Sequence, residues 1–123
     1  MVVQKDLSDD DIDRLFHALA AATRRDILRR TIESEHSVSA LASDYDMSFA
    51  AVQKHVAVLE EAGLIIKRAE GRERLVRADP TMIARARALL ARYEDLWRAR
   101  IDRLDDLLAE PSDPPTSTPT QRI

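Results

Sequence analysis

The chain has no cysteine among its 123 residues. That absence excludes disulfides, thiolate metal sites and thiol-based redox sensing. Aromatic residues make up only 4%, which argues against an all-β protein, whose strands draw on aromatic and β-branched side chains. Two glycines cannot build a Gly-rich phosphate loop. No apolar run approaches the length of a transmembrane helix. The opening "MVVQKDLSDDDID" lacks the apolar stretch of a signal peptide, so a cytoplasmic protein is expected. Positive charge is missing as a global property too. The formal net charge is −3, and contact with nucleic acid has to be argued from local clusters.

What is present favours helix. Ala, Arg and Leu are, with Asp, the commonest residues, and these three are good helix formers. Ser8 followed by Asp9, Asp10 and Asp11 is a helix start with acidic groups at the positive end of the dipole; Ile12, Leu15, Phe16 and Leu19 then recur at helical spacing. A second helix is expected over about Thr23 to Ile32, with Ile27, Leu28 and Ile32 inward and Arg24, Arg25, Arg29 and Arg30 along it, a solvated face being favoured over contact with backbone phosphate. A third runs over about Val38 to Tyr45. After a tight turn at Asp46 and Met47, Ser48 caps a fourth, which ends at Gly63. Two short helices joined by such a turn make a helix-turn-helix.

"LIIKRAEGRERLVRADP" then reads as a β-hairpin turning at Glu70-Gly71. Asp79 and Pro80 open a long last helix reaching about Leu108. The fold expected is mainly α with a small β-hairpin. Residues 1–109 form one domain, and residues 110–123, rich in Pro, Ser and Thr, form a disordered tail.

The fourth helix carries the functional signal. On a helical wheel Phe49, Val52, Val56 and Leu59 form one apolar stripe, which favours packing for Phe49 over contact with a thymine methyl. Lys54 lies nearly opposite, among the small residues Ala50, Ala51 and Ala57, with Gln53 and His55 at the flanks. A slim face lets the backbone approach bases in a major groove, where Gln pairs bidentately with adenine and Lys reaches guanine or phosphate. The hairpin that follows carries Lys67, Arg68, Arg72, Arg74 and Arg77. With Lys54, and against Glu60, Glu61, Glu70 and Glu73, these leave a local positive excess in a negative chain. The arrangement is a winged helix-turn-helix.

"LFHALAAATRRDILRRTIES" and "SVSALASDYDMSFAAVQKHVAVLEEAGLIIKRAEGRERLVRADP" resemble the ArsR-type winged-helix repressors from about Leu15 to Pro80 and on into the last helix. The resemblance implies a homodimeric transcription factor on a palindromic operator in double-stranded DNA. It implies that Ser48 to His55 (Ser48, Phe49, Ala50, Ala51, Gln53, Lys54 and His55 among them) face the duplex, and that Arg72 and Arg74 touch its backbone. Gln53 stands where the family usually has Ser. Many relatives of this type sense metals through Cys on the third helix or His with Asp or Glu on the last. Here Cys is absent, and His17, His36 and His55 all lie off the last helix without ligand spacing. His17 is expected as a partly exposed helix residue and His36 as a solvated loop residue, while His55 either packs and hydrogen-bonds at the helix flank or contacts a phosphate. No metal or cofactor is expected.

The last helix repeats apolar residues in sevens: Ile83, Leu90, Trp97 and Leu104, with Tyr93 and Ile101 widening the stripe. That is more apolar surface than a small domain covers, and a second copy of the same helix is the simplest partner. Leu15 and Leu19 of the first helix join these six as expected dimer residues. The principal alternative is a winged helix used only as a protein-interaction module. An enzyme is not expected, because no convergent acid, base or nucleophile set is evident.

Overall fold

A computed structural model describes residues 7–109. Helix α1 spans Asp9–Leu19. Ser8 Oγ accepts from Asp11 N at 3.1 Å, and the Asp11 carboxylate accepts from Ser8 N at 3.1 Å. This reciprocal capping box satisfies two donors that the helix itself leaves open. The amide contact from Ser8 also holds the Asp11 carboxyl below the usual carboxylate range. Helix α2 follows at Ala22–Glu33, strand β1 at His36–Ser37 and α3 at Val38–Ser43. Ser37 and Ser48 cap α3 and α4 by accepting from Ala40 N at 3.0 Å and Ala51 N at 3.1 Å.

Helix α4, Phe49–Glu61, stops through paired turn bonds, Gly63 N to Glu60 O at 2.9 Å and Leu64 N to Leu59 O at 3.0 Å. Such a C-terminal motif requires a left-handed residue, and Gly63 has φ +80°. A Cβ there would also lie 2.9 Å from Met82 Cε. Strands β2 (Ile65–Glu70) and β3 (Glu73–Ala78) form the wing hairpin, with Glu70 opposite Glu73 and Gly71 (φ +63°) in the loop. The sheet order is β1-β3-β2, all antiparallel, with His36 opposite Val76. Helix α5 spans Pro80–Ala109, about 45 Å at 1.5 Å per residue.

The chain divides into two compact units at Ala86 and Arg87. The core of the first is built from Leu15, Ala18, Ile27, Leu41, Val52, Val56, Leu59, Leu64, Ile65 and Val76, so every element of that unit before α5 except the two-residue β1 contributes.

Several expectations need correction. His36 is not in a solvated loop. It sits in β1, half-buried, with Nε2 3.1 Å from Ser34 Oγ and 3.2 Å from Arg30 O. A two-residue strand has no periodicity to detect; it exists because β3 offers an open edge. Helix α3 ends at Ser43 rather than Tyr45, because Tyr45 turns back to donate its hydroxyl to Asp26 Oδ2 at 2.6 Å. Ile32 is exposed, not inward. The tail expected from Glu110 onward lies outside the described residues.

Candidate nucleic-acid interface

Helix α4 divides its residues sharply. Val52, Val56 and Leu59 are buried, while Ser48, Ala50, Gln53 and Lys54 are exposed and Ala51 is half-buried. Phe49 departs from its phase. Helical spacing predicts that it packs with the stripe, yet it is 48% exposed. It lines an open groove beside the wing instead of closing into the core. Lys54 has no hydrogen bond or ion pair among the described residues, and its ammonium is available to a ligand.

Four of the five wing cations separate in the same way, while the fifth, Arg77, is exposed and lies near enough to Glu35 to lower its pKa after Arg68. Arg68 donates twice to Glu35, at 3.1 and 2.9 Å, and approaches Glu70 at 3.6 Å; Lys67 lies 3.4 Å from Glu60. Those two are neutralised within the chain. Arg72 and Arg74, both exposed, have no carboxylate partner among the described residues. They meet Phe49 and Gln53 around one open groove of about 310 Å³ between the start of α4 and the wing, lined also by Val38, Ser39, Lys67 and Glu73. The structure therefore brings Phe49, Gln53, Arg72 and Arg74 together, although some 20 residues of sequence separate the two sets.

Of the four α2 arginines, Arg25 and Arg29 lie on the solvated face expected of them, while Arg30 is half-buried and Arg24 buried. Arg29 bridges Asp26 at 2.8 Å and Glu33 at 3.1 Å, and Arg30 reaches Asp44 at 2.6 Å while lying 5.7 Å from the Tyr45 ring centroid. The Arg29 pairs lie within α2; Arg30–Asp44 and Tyr45–Asp26 fasten α2 to the turn of the helix-turn-helix. The Tyr45 hydroxyl and then Arg29 hold the Asp26 carboxyl below its ordinary range. Arg24 is buried, the largest departure among the four. Its Nε donates to Ala18 O at 2.8 Å and Nη2 to His17 O at 2.8 Å, and Nη1 lies 3.1 Å from His55 Nδ1. A signal for this exists in the sequence: Arg24, Ile27, Leu28 and Thr31 share one i, i+3, i+4, i+7 face, and all four are buried.

His55 is half-buried on α4, and burial first, then the Arg24 charge, lowers its pKa. His17 is exposed. Among the described residues no three His, Asp or Glu side chains gather as a metal-holding group, and no helix is long and apolar enough to cross a membrane.

Of the residues expected at a dimer contact, Leu90, Tyr93, Trp97, Ile101 and Leu104 are exposed along α5, Trp97 at 60%. Ile83 and Leu19 are half-buried. Leu15, at 2% exposure, is spent in the core of its own chain.

Comparison with known proteins agrees with this geometry. A Helix-turn-helix domain family matches residues 19–68. The chain is similar to the HTH-type transcriptional regulator Rv2034 of Mycobacterium tuberculosis, with 40% identity over 81 residues, covering 66% of this chain and 76% of that regulator. Its structure is similar to the crystal structure of an ArsR family transcriptional regulator at TM-score 0.70 and 31% identity, covering 76% of this chain and 97% of the other. It is also similar to the solution structure of a homodimeric winged helix-turn-helix DNA-binding domain from Mycobacterium bovis, at TM-score 0.58 and 28% identity, covering 77% and 91%.

Proposed function

The chain belongs to the ArsR family of winged helix-turn-helix transcriptional regulators, and from that premise we propose that it is a cytoplasmic homodimeric repressor acting on a palindromic operator. The observation that carries the DNA contact is the pair of unneutralised wing arginines, Arg72 and Arg74, set around one groove with Gln53. In this proposal α4 enters the major groove. Ser48, Ala50 and Ala51 allow close approach, Phe49 contacts a thymine methyl, and Gln53 and Lys54 meet base edges or nearby phosphate. His55 contacts a phosphate, and Arg72 and Arg74 contact the flanking backbone. The exposed apolar residues of α5 form the dimer contact, supported by the homodimeric state of the Mycobacterium bovis domain. Residues 1–109 would then act as one DNA-binding and dimerising module, with no metal or cofactor needed. Two recognition helices related by a two-fold axis meet half-sites about one helical turn, roughly 34 Å, apart.

Operator binding by fluorescence anisotropy at several salt concentrations tests the wing. Arg72→Ala with Arg74→Ala is expected to weaken binding on every duplex and to shrink the log–log salt slope by about 1 for each phosphate that is no longer neutralised. Unchanged affinity and slope would remove the wing from the interface. A chain that binds no duplex at any salt would instead be an interaction module.

A further inference from the structure

Arg24 is a buried cation with no carboxylate partner among the described residues. Two of its donors occupy carbonyls at the C-terminal end of α1, where the helix dipole favours positive charge. Those two bonds already account for a structural role. The third contact, Nη1 to His55 Nδ1 at 3.1 Å, goes further. A guanidinium has only donors. His55 Nδ1 must therefore be the acceptor, and the ring hydrogen must sit on Nε2. Nε2 has no protein partner among the described residues and is not buried, so an N–H donor is left open to solvent on the DNA-reading helix.

We propose that Arg24 is a positioning residue for DNA binding: by fixing His55 as the Nε2–H tautomer, it turns the ring into a neutral hydrogen-bond donor aimed at a backbone phosphate. This rests on the DNA-binding reading above. The geometry separates the role from that of the wing. A neutral donor orients the helix on the backbone without releasing a counterion, whereas Arg72 and Arg74 act through charge. Protonation of Nδ1 would place two cations face to face at 3.1 Å, so His55 stays neutral where an ordinary phosphate-binding histidine would be charged. The His55 pKa, lowered first by burial and then by the Arg24 charge, agrees with this.

Two amide replacements separate the two ring nitrogens. In His55→Asn the carboxamide oxygen takes the place of Nδ1 and still accepts from Arg24, but the distant donor is gone. In His55→Gln a donor is restored near the Nε2 position. Using a duplex selected by the wild-type chain from a random-sequence pool, His55→Asn is expected to keep its melting temperature and lose about tenfold or more in affinity, the scale of a hydrogen bond to a charged group. His55→Gln recovers most of that loss. The salt slope of His55→Asn should match the wild type. In the free protein, side-chain nitrogen NMR should show His55 protonated at Nε2 alone near neutral pH. Arg24→Lys, which keeps the charge but not the fork, should release that tautomer and weaken binding.

Wild-type affinity in His55→Asn, a salt slope reduced by about 1, or an Nδ1–H tautomer would each overturn the role while leaving DNA binding intact. If the wild-type chain selects no duplex, the DNA-binding reading falls and the role falls with it; the NMR spectrum still reports separately whether Arg24 sets the tautomer.

Discussion

Helices α4 and α5 use the same kinds of residue to opposite ends. In α4 the apolar stripe of Val52, Val56 and Leu59 is covered by the rest of its own unit, and its polar and small residues face outward. In α5 it is Leu90, Tyr93, Leu96, Trp97 and Leu104 that face outward. Burying apolar area stabilises at about 25 cal/mol per Å². A helix that has already made that gain is free to present a ligand-reading face, while one that has not carries a surface of the sort that marks an interaction site. The difference lies less in composition than in how much of each stripe the single chain can cover.

Four substitutions or conditions put this contrast at risk. The largest effect belongs to the covered stripe. Leu59 has no exposure, and Leu59→Ala should cost about 2–5 kcal/mol of unfolding free energy through reduced burial and a residual cavity, read by chemical denaturation. A change below 1 kcal/mol, roughly the surface range, would mean that α4 is not fastened as described.

The uncovered stripe should respond in assembly rather than in the core. Trp97→Asp is expected to weaken self-association by about 2–4 kcal/mol, the scale of an interface anchor, giving a monomer or an insoluble chain by sedimentation. A soluble, unaltered dimer would place the interface elsewhere.

Gln53→Ala tests the outward face of α4. Removing a bidentate base contact should relax preference at one or two base pairs by about 1–3 kcal/mol, measured by competition among operator variants. Uniform weakening on all sequences would make Gln53 a backbone contact instead.

The smallest effect concerns the inner flank of α4. The folded-state pKa of His55 is lowered, chiefly by burial and then by Arg24, so between its unfolded value near about 6.5 and the lower folded value the unfolded chain binds more protons. The His55 contribution to stability is therefore complete above that range and falls as pH drops through it. Asp26 adds a second loss at more acidic pH, because its lowered carboxyl pKa, set first by Tyr45, stabilises the fold only above its unfolded value. Denaturant midpoints from pH 7.5 to 5 should fall less steeply for His55→Gln than for wild type; parallel curves would show that His55 is not held neutral.

Much of this could be read from the chain because it rests on local chemistry. The Ser8 and Ser48 caps and the glycine that ends α4 depend on residues within a few positions of one another, and the wing hairpin and the stripe of α5 on continuous segments of chain. The features that escaped are those in which distant residues compete for the same space. Ile32 has an inward phase but is exposed, and Phe49 begins an apolar stripe yet is nearly half exposed. Arg24 shows the reverse: a charged residue on an inward face is taken as solvated, yet two carbonyls at the end of α1 and an imidazole of α4 receive its donors.

Where helices begin and end, that a basic hairpin follows a helix with a slim polar face, and that thiol chemistry is excluded are all written in the order of residues, because backbone capping, periodicity and composition act over short separations. Which cations remain available depends on folding in three dimensions. Glu35 lies far from Arg68 in the chain yet neutralises it, while Arg72 and Arg74 meet no carboxylate among the described residues. Charge is a property of residues, but free charge is a property of their neighbours in space, and those neighbours are set by which strand edges, helix ends and apolar faces pack together.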